Sequence, residues 1–294
     1  MSRDIFLRLL ASVVIFFLMF SLHRAITVAP RAGRPALQSA EAMLVAQGGA
    51  ASLAPENTLA AFQTALDLGA DVLALDVRLS ADGELIVLRD ETVDRTTDGA
   101  GKVSDLTLAQ IKALDAGFRF IPDGGITYPY RSKGVTLSTL AEVMAAFPSA
   151  RLQIALQDDS LAAAERLTNA IIAAQAQDRV IVGSPHEDVL RRFRRLSPDV
   201  ATVVGRNELR TFSLLQSFGL IGLHRALGDV YETPVRAGRF RYDSPRFIAS
   251  VHALNQKIFF SGVDDPAEIS RLLALGADGI VTARPELAQD AFGA

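Results

Sequence analysis

Between residues 44 and 90 the chain reads LVAQGGAASLAPENTLAAFQTALDLGADVLALDVRLSADGELIVLRD, and its polar side chains gather where apolar segments end. Gln47 closes the first segment, Glu56, Asn57 and Thr58 stand before an alanine-rich one, Asp76 lies in the second half of the next, and Arg89 and Asp90 follow the last. Carboxylates can hold a cation or move a proton. An arginine binds anions but, always protonated, cannot serve as an acid–base shuttle. Glu56-Asn57-Thr58 has a simpler reading than catalysis, because a polar residue that opens a helix is first a cap.

The elements that must position these residues follow from periodicity. Residues 43–46 form a strand, 57–68 a helix with Leu59, Phe62 and Leu66 on one face, and 72–79 an alternating strand. Ser80-Ala81-Asp82-Gly83 is a turn that joins 72–79 to 85–88 as a hairpin. Further on, helices are expected at 106–114, 137–147, 161–174, 187–196, 247–254 and 266–275. Strands are expected at 152–156, 180–182, 200–204, 219–223, 257–260 and 278–281. Strands alternating with helices, and no internal repeat, predict an α/β fold of the (β/α)8 barrel type with one locally inserted hairpin. A doubly wound open sheet is the alternative, and the lack of a glycine-rich phosphate loop after any strand counts against it.

Composition bounds the function. The chain has 294 residues, 49% of them hydrophobic, which suits one large domain. With 30 basic and 33 acidic residues the net charge is −3, so no nucleic-acid partner is expected. The absence of cysteine excludes thiol chemistry and disulfides. Residues 5–22 are apolar apart from Arg8, Ser12 and Ser21, and read as an uncleaved transmembrane anchor after a four-residue tail. Residues 23–42 then read as a linker, and 43–294 as the barrel, placed on the non-cytoplasmic, periplasmic side of a membrane by the short charged head.

Four sets of residues resemble one known family. They are Pro55-Glu56-Asn57-Thr58; the loop Asp94-Arg95-Thr96-Thr97-Asp98-Gly99-Ala100-Gly101-Lys102-Val103; Gly262-Val263-Asp264-Asp265-Pro266; and Gly276-Ala277-Asp278-Gly279-Ile280-Val281-Thr282-Ala283-Arg284-Pro285. In this order they resemble the glycerophosphodiester phosphodiesterase family. The resemblance implies a barrel in which two histidines act as acid and base, and carboxylates hold calcium or magnesium against a phosphodiester. It also places those roles on particular residues. The two histidine positions carry Gln47 and Arg89, and the phosphate-binding arginine position carries Gly48. The metal-ligand positions carry Ala74, Asp76 and Ala155, and a lysine position carries Gln157.

Only Asp76 keeps a family ligand, so no intact metal site and no cofactor are expected. Each missing acid or base costs roughly 10²- to 10⁴-fold in rate. The expectation is a catalytically inactive member, anchored in a membrane and serving as a scaffold or assembly subunit beside another membrane protein. Its residual pocket would comprise Gln47, Asp76, Arg89, Asp90 and Gln157. Two alternatives remain: an active hydrolase rebuilt on Gln47, Asp76, Asp90 and Arg89, and a protein that binds a phosphodiester or lipid headgroup without turnover. Arg89 either turns inward to pair with Asp76 or Asp90, or outward to Glu91. His23, His186, His224 and His252 read as loop or surface residues, and Arg191, Arg192, Arg194 and Arg195 as a solvated helix face or a contact for anionic lipid heads. Phe118, Phe120, Tyr128 and Tyr130 flank the loop 122–125, as a lid, a partner surface or ordinary packing.

Overall fold

The computed structural model describes all residues except 1, 2, 28, 29, 123, 124, 239, 293 and 294; the side chains of 3, 21 and 23–27 are likewise outside the described set. After helix α1 (Arg3–Thr27), the chain alternates β1 (Met43–Gln47), α2 (Leu59–Asp67), β2 (Val72–Leu79), β3 (Leu85–Val87), α3 (Leu108–Lys112), α4 (Leu140–Ala146) and β4 (Arg151–Leu156). It continues through α5 (Leu161–Ala173), β5 (Val180–Gly183), α6 (Glu187–Leu196), β6 (Ala201–Thr202), α7 (Arg206–Ser217) and β7 (Val230–Thr233). A small hairpin, β8 (Arg236–Ala237) with β9 (Phe240–Arg241), precedes α8 (Pro245–Ala253), β10 (Lys257–Ser261), α9 (Pro266–Ala274), β11 (Gly279–Thr282) and α10 (Gln289–Phe292).

Eight parallel strands run in the order β6, β5, β4, β2, β1, β11, β10, β7, and a parallel bridge from Val203 to Val230 brings the two ends together. This is the expected barrel, with β3 paired antiparallel to the end of β2 (Val77 opposite Val87, Leu79 opposite Leu85) as the inserted hairpin. Successive side chains along a strand point to opposite faces. Met43, Val45, Val72, Ala74, Ile181, Val230, Phe259 and Val281 pack together inside the barrel. Leu44, Leu73, Leu75, Leu152, Ile154 and Phe260 face the helices. Asp76, two residues beyond Ala74, and Glu232, two beyond Val230, therefore continue the inward rows toward the strands' C-terminal ends.

Three expectations need correction. Among the described residues no helix is long and apolar enough to cross a membrane, so the anchor at 5–22 and the periplasmic placement built on it are overturned. Asp4 and Arg8 charge the first turns of α1, and the apolar run at 9–20 rises only about 18 Å against a hydrocarbon core of about 30 Å. Within the segment read as a linker, residues 31–37 pack at the barrel's base. Ala36 and Leu37 join the interior cluster, while Arg31 and Arg34 reach Asp229 at 2.8 and 3.3 Å. Finally, the strand expected at 219–223 is a 3-10 turn (Ile221–Leu223) following α7, and the sixth barrel strand is β7.

Candidate functional site

The end of β1 turns sharply. Gly48 and Gly49 have φ of +67° and +80°, and a Cβ on Gly49 would lie 2.5 Å from the backbone of Ala61, so only glycine fits there. The turn delivers Pro55 to Thr58 to the barrel mouth. Thr58 caps α2, accepting from Ala61 N at 3.3 Å and donating to Pro55 O at 2.6 Å. Asn57 holds the floor of the turn: its N–H donates to Gly48 O, and its Oδ1 accepts from Asp76 N at 3.3 Å. The capping reading of this motif therefore describes Thr58, while Asn57 ties the β1 turn to β2.

Asp76 is 6% exposed and both its oxygens are engaged. Arg89 Nε donates to Oδ2 at 3.1 Å, and Gln157 Nε2 donates to Oδ1 at 2.7 Å. The inward arrangement of Arg89 is thus the one observed; Glu91 pairs instead with Lys102. Asp90 is turned away, accepting from Arg95 Nε, while Arg95 also grips Glu56 with both Nη groups, at 2.9 and 2.6 Å. The structure therefore gathers Asp76, Arg89 and Gln157, with Asp90 in a neighbouring ion-pair cluster. Gln47 is half-buried at the end of β1, and its carboxamide makes no hydrogen bond among the described residues. Among the described residues, nothing accepts from the Nη groups of Arg89, whose side chain is 42% exposed.

A divalent cation does not fit these residues. Hard cations take several oxygen ligands. Ala74 and Ala155 have no side-chain oxygen, Asp76 already has a partner on each of its own, and a guanidinium stands 3.1 Å away. Among the described residues no cluster of three His, Cys, Asp or Glu is placed to hold a metal.

Two interior residues escaped the sequence reading. Gln153, level with Ala74 in the register of β2 and β4, donates from Nε2 to Glu232 Oε2 at 2.5 Å, and its Oε1 is buried without a partner. Glu232 as a whole keeps some accessible surface, but its carboxyl is packed by protein, and burial pushes its pKa above the usual carboxylate value of 4.5. The nearby Asp76 charge adds to that shift, while the Gln153 hydrogen bond and Arg89 oppose it. Their signal in the sequence was the inward alternation of Val230 with Glu232. A raised folded-state pKa means that the folded protein holds its proton longer than the unfolded chain, so stability is lost as pH rises from about 4.5 through the folded value. Replacing Glu232 with Gln is expected to stabilise the protein more at pH 8 than at pH 4.5 in urea unfolding. A gain that shrinks with rising pH would contradict this placement of the carboxyl.

The remaining candidates resolve individually. His186 borders a cleft of about 400 Å³ at the mouth with Arg78, Glu91, Asp158 and Asp159, and its Nε2 lies 3.2 Å from Gln157 O. Burial raises the Asp158 pKa in that cleft. His224 is not a surface residue: it packs on Phe212 and meets Tyr231 Oη at 3.2 Å, and burial lowers its pKa. His252 is exposed against Asp278, and the side chain of His23 lies outside the described residues. Of the arginines on α6, Arg194 turns inward to Thr202, Val203 and Glu208, and Arg192 pairs with Glu165. Phe120 packs edge-on against Tyr130, and Arg131 lies over Phe118 and Tyr128. Asp123 and Gly124, at the centre of that loop, are outside the described residues.

Comparison with known proteins gives consistent matches. The sequence model of the glycerophosphoryl diester phosphodiesterase family matches residues 48–287. A glycerophosphodiester phosphodiesterase of Caldanaerobacter subterraneus subsp. tengcongensis is 32% identical over 252 residues, which span 83% of this chain and 95% of that protein. One from Bacillus subtilis is 31% identical over 263 residues, 83% of this chain and 84% of the relative. The crystal structure of a glycerophosphodiester phosphodiesterase from Agrobacterium tumefaciens superposes with a TM-score of 0.70 at 27% identity, covering 85% of this chain and 99% of that one.

Proposed function

The chain belongs to the glycerophosphoryl diester phosphodiesterase family, and from that premise we propose that it is a catalytically silent member that holds the phosphate of a glycerophosphodiester on Arg89 without cleaving it. The observation that carries this reading is the saturation of Asp76 by Arg89 and Gln157, which removes the one remaining family carboxylate from metal duty. Hydrolysis of a phosphodiester needs its anionic charge neutralised, a water deprotonated and the leaving alkoxide protonated. At the two positions where the family has histidine, a carboxamide and a guanidinium can do neither proton transfer. What Arg89 does offer is a planar fork with its Nη donors free, suited to two oxygens of one phosphate. An active site rebuilt on Gln47, Asp76, Asp90 and Arg89 is less well supported, because Asp90 is committed to Arg95.

Calorimetric titration in EDTA with sn-glycero-3-phosphoglycerol is expected to give one-site binding. Arg89→Gln should weaken it about 10- to 100-fold, as hydrogen bonds to charged groups contribute ~1.5–3 kcal/mol. Undiminished affinity in the variant, or affinity that appears only with added calcium, overturns the reading.

A further inference from the structure

Beside the mouth lies a cavity of about 180 Å³ whose wall includes Glu56, Arg95, Thr96, Arg119, Phe120 and Ala51. It is close to Arg89 by covalent and hydrogen-bonded steps: Arg95 bridges Asp90, the next residue after Arg89, to Glu56 in the cavity wall. The two charges of Arg95 and Glu56 cancel across their own bidentate pair. Arg119 is different. Its Nε donates to Thr97 O at 2.9 Å, and among the described residues nothing accepts from its Nη groups. At the same wall Thr96 Oγ1 is buried with no hydrogen-bond partner. The Arg119 guanidinium lies over the Phe118 ring at 5.9 Å and within electrostatic reach of the exposed Asp94, yet its Nη donors have no acceptor among the described residues. Together with the unsatisfied Thr96 hydroxyl, flanked by Phe120 and alanine side chains, they favour a compact anion that brings acceptors for both.

We infer that this cavity is a headgroup subsite that selects glycerophosphodiesters bearing a second anionic group, a carboxylate or a phosphate, with Arg119 as the specificity-determining residue. The inference rests on the reading that the diester phosphate sits on Arg89. A water occupies about 30 Å³ of liquid, so the cavity takes a headgroup of only a few heavy atoms. A cationic headgroup such as choline would face Arg119 with like charge and leave Thr96 unpaired.

The test measures affinity in EDTA for four diesters: glycerophosphoserine, glycerophosphoglycerol carrying a terminal phosphate, neutral glycerophosphoglycerol, and glycerophosphocholine. The first two separate carboxylate from phosphate as the preferred anion. Either or both should bind about tenfold more tightly than glycerophosphocholine. Arg119→Gln should flatten this ranking by weakening the two anionic diesters more than glycerophosphoglycerol, and Arg119→Glu should invert it toward choline. A ranking that survives in both variants, or no ranking in the native protein, overturns the subsite. Thermal shift with inorganic phosphate in the Arg89→Gln background separates this inference from the reading beneath it. Stabilisation there that disappears on adding Arg119→Gln keeps the subsite even if no diester binds, and no stabilisation counts against it.

Discussion

Incubated with sn-glycero-3-phosphoglycerol and millimolar calcium or magnesium, the protein is expected to release no glycerol 3-phosphate beyond an EDTA control. The loss of a general acid and a general base together removes roughly 10⁴- to 10⁸-fold in rate, and the lost Lewis acid takes several kcal/mol more. That is more than the residual chemistry of one ion-paired aspartate can supply. The converse is a stronger test. Restoring Gln47→His, Arg89→His, Ala74→Glu and Ala155→Glu together should give metal-dependent turnover, because those positions sit on the inward rows of β1, β2 and β4 and just past β3. Any one restoration alone should give none, since residues that act as a unit are not additive. Gly48 is best left unchanged, because its φ of +67° strains any side chain. Metal-dependent turnover in the native protein, abolished by Asp76→Ala, would falsify the reading and mean that the chemistry had been rebuilt around the surviving aspartate.

The barrel was legible because its strongest elements announce themselves locally. The alternation of residues 72–79 and the amphipathic charge pattern of 187–196 reproduce β2 and α6 at both ends. Elements defined by tertiary context were less visible. The segment 219–223 is apolar and looks like a buried strand, yet it serves as a 3-10 turn; β7 is only four residues, with Glu232 interrupting its apolar run. Apolar composition alone cannot separate a short buried strand from a packed turn. Helix α7 has Gly205 at its N-cap and so no side-chain cap, which removes the usual signal of a helix start.

The site divides in the same way. Asp76, Arg89 and Gln157 could be placed from the motif positions and do converge, because strand register fixes which residues share the inner face. Asp90 follows Arg89 in sequence but leaves the site, since its neighbour across the mouth, Arg95, lies on a loop whose path no local pattern specifies. Gln153 and Glu232 are 79 residues apart and meet only because the barrel closes. That the Nη groups of Arg89 and Arg119 have no acceptor among the described residues likewise emerges only from the assembled side chains.

Replacing Asp229 with Ala should destabilise the protein by about 2–4 kcal/mol in urea unfolding, although the residue is remote from the mouth. Asp229 is 4% exposed at the start of β7. Its Oδ1 accepts from Arg31 and from Arg34 Nε, and its Oδ2 from Thr202 N at 2.9 Å. The substitution orphans a buried backbone donor and removes the shared carboxylate from two arginines, leaving them only backbone carbonyls to fasten residues 31–38 across the barrel's base, where Ala36 and Leu37 fill the interior. Full burial would put the loss at the upper end; the arginine side chains keep 23% and 19% of their surface, so water recovers part of it. The distinguishing measurement is the double-mutant cycle with Arg31→Ala. A coupling of about 1 kcal/mol or more marks the segment as a docked strap, whereas additive effects together with an Asp229→Ala cost under about 0.5 kcal/mol would return it to the status of a linker.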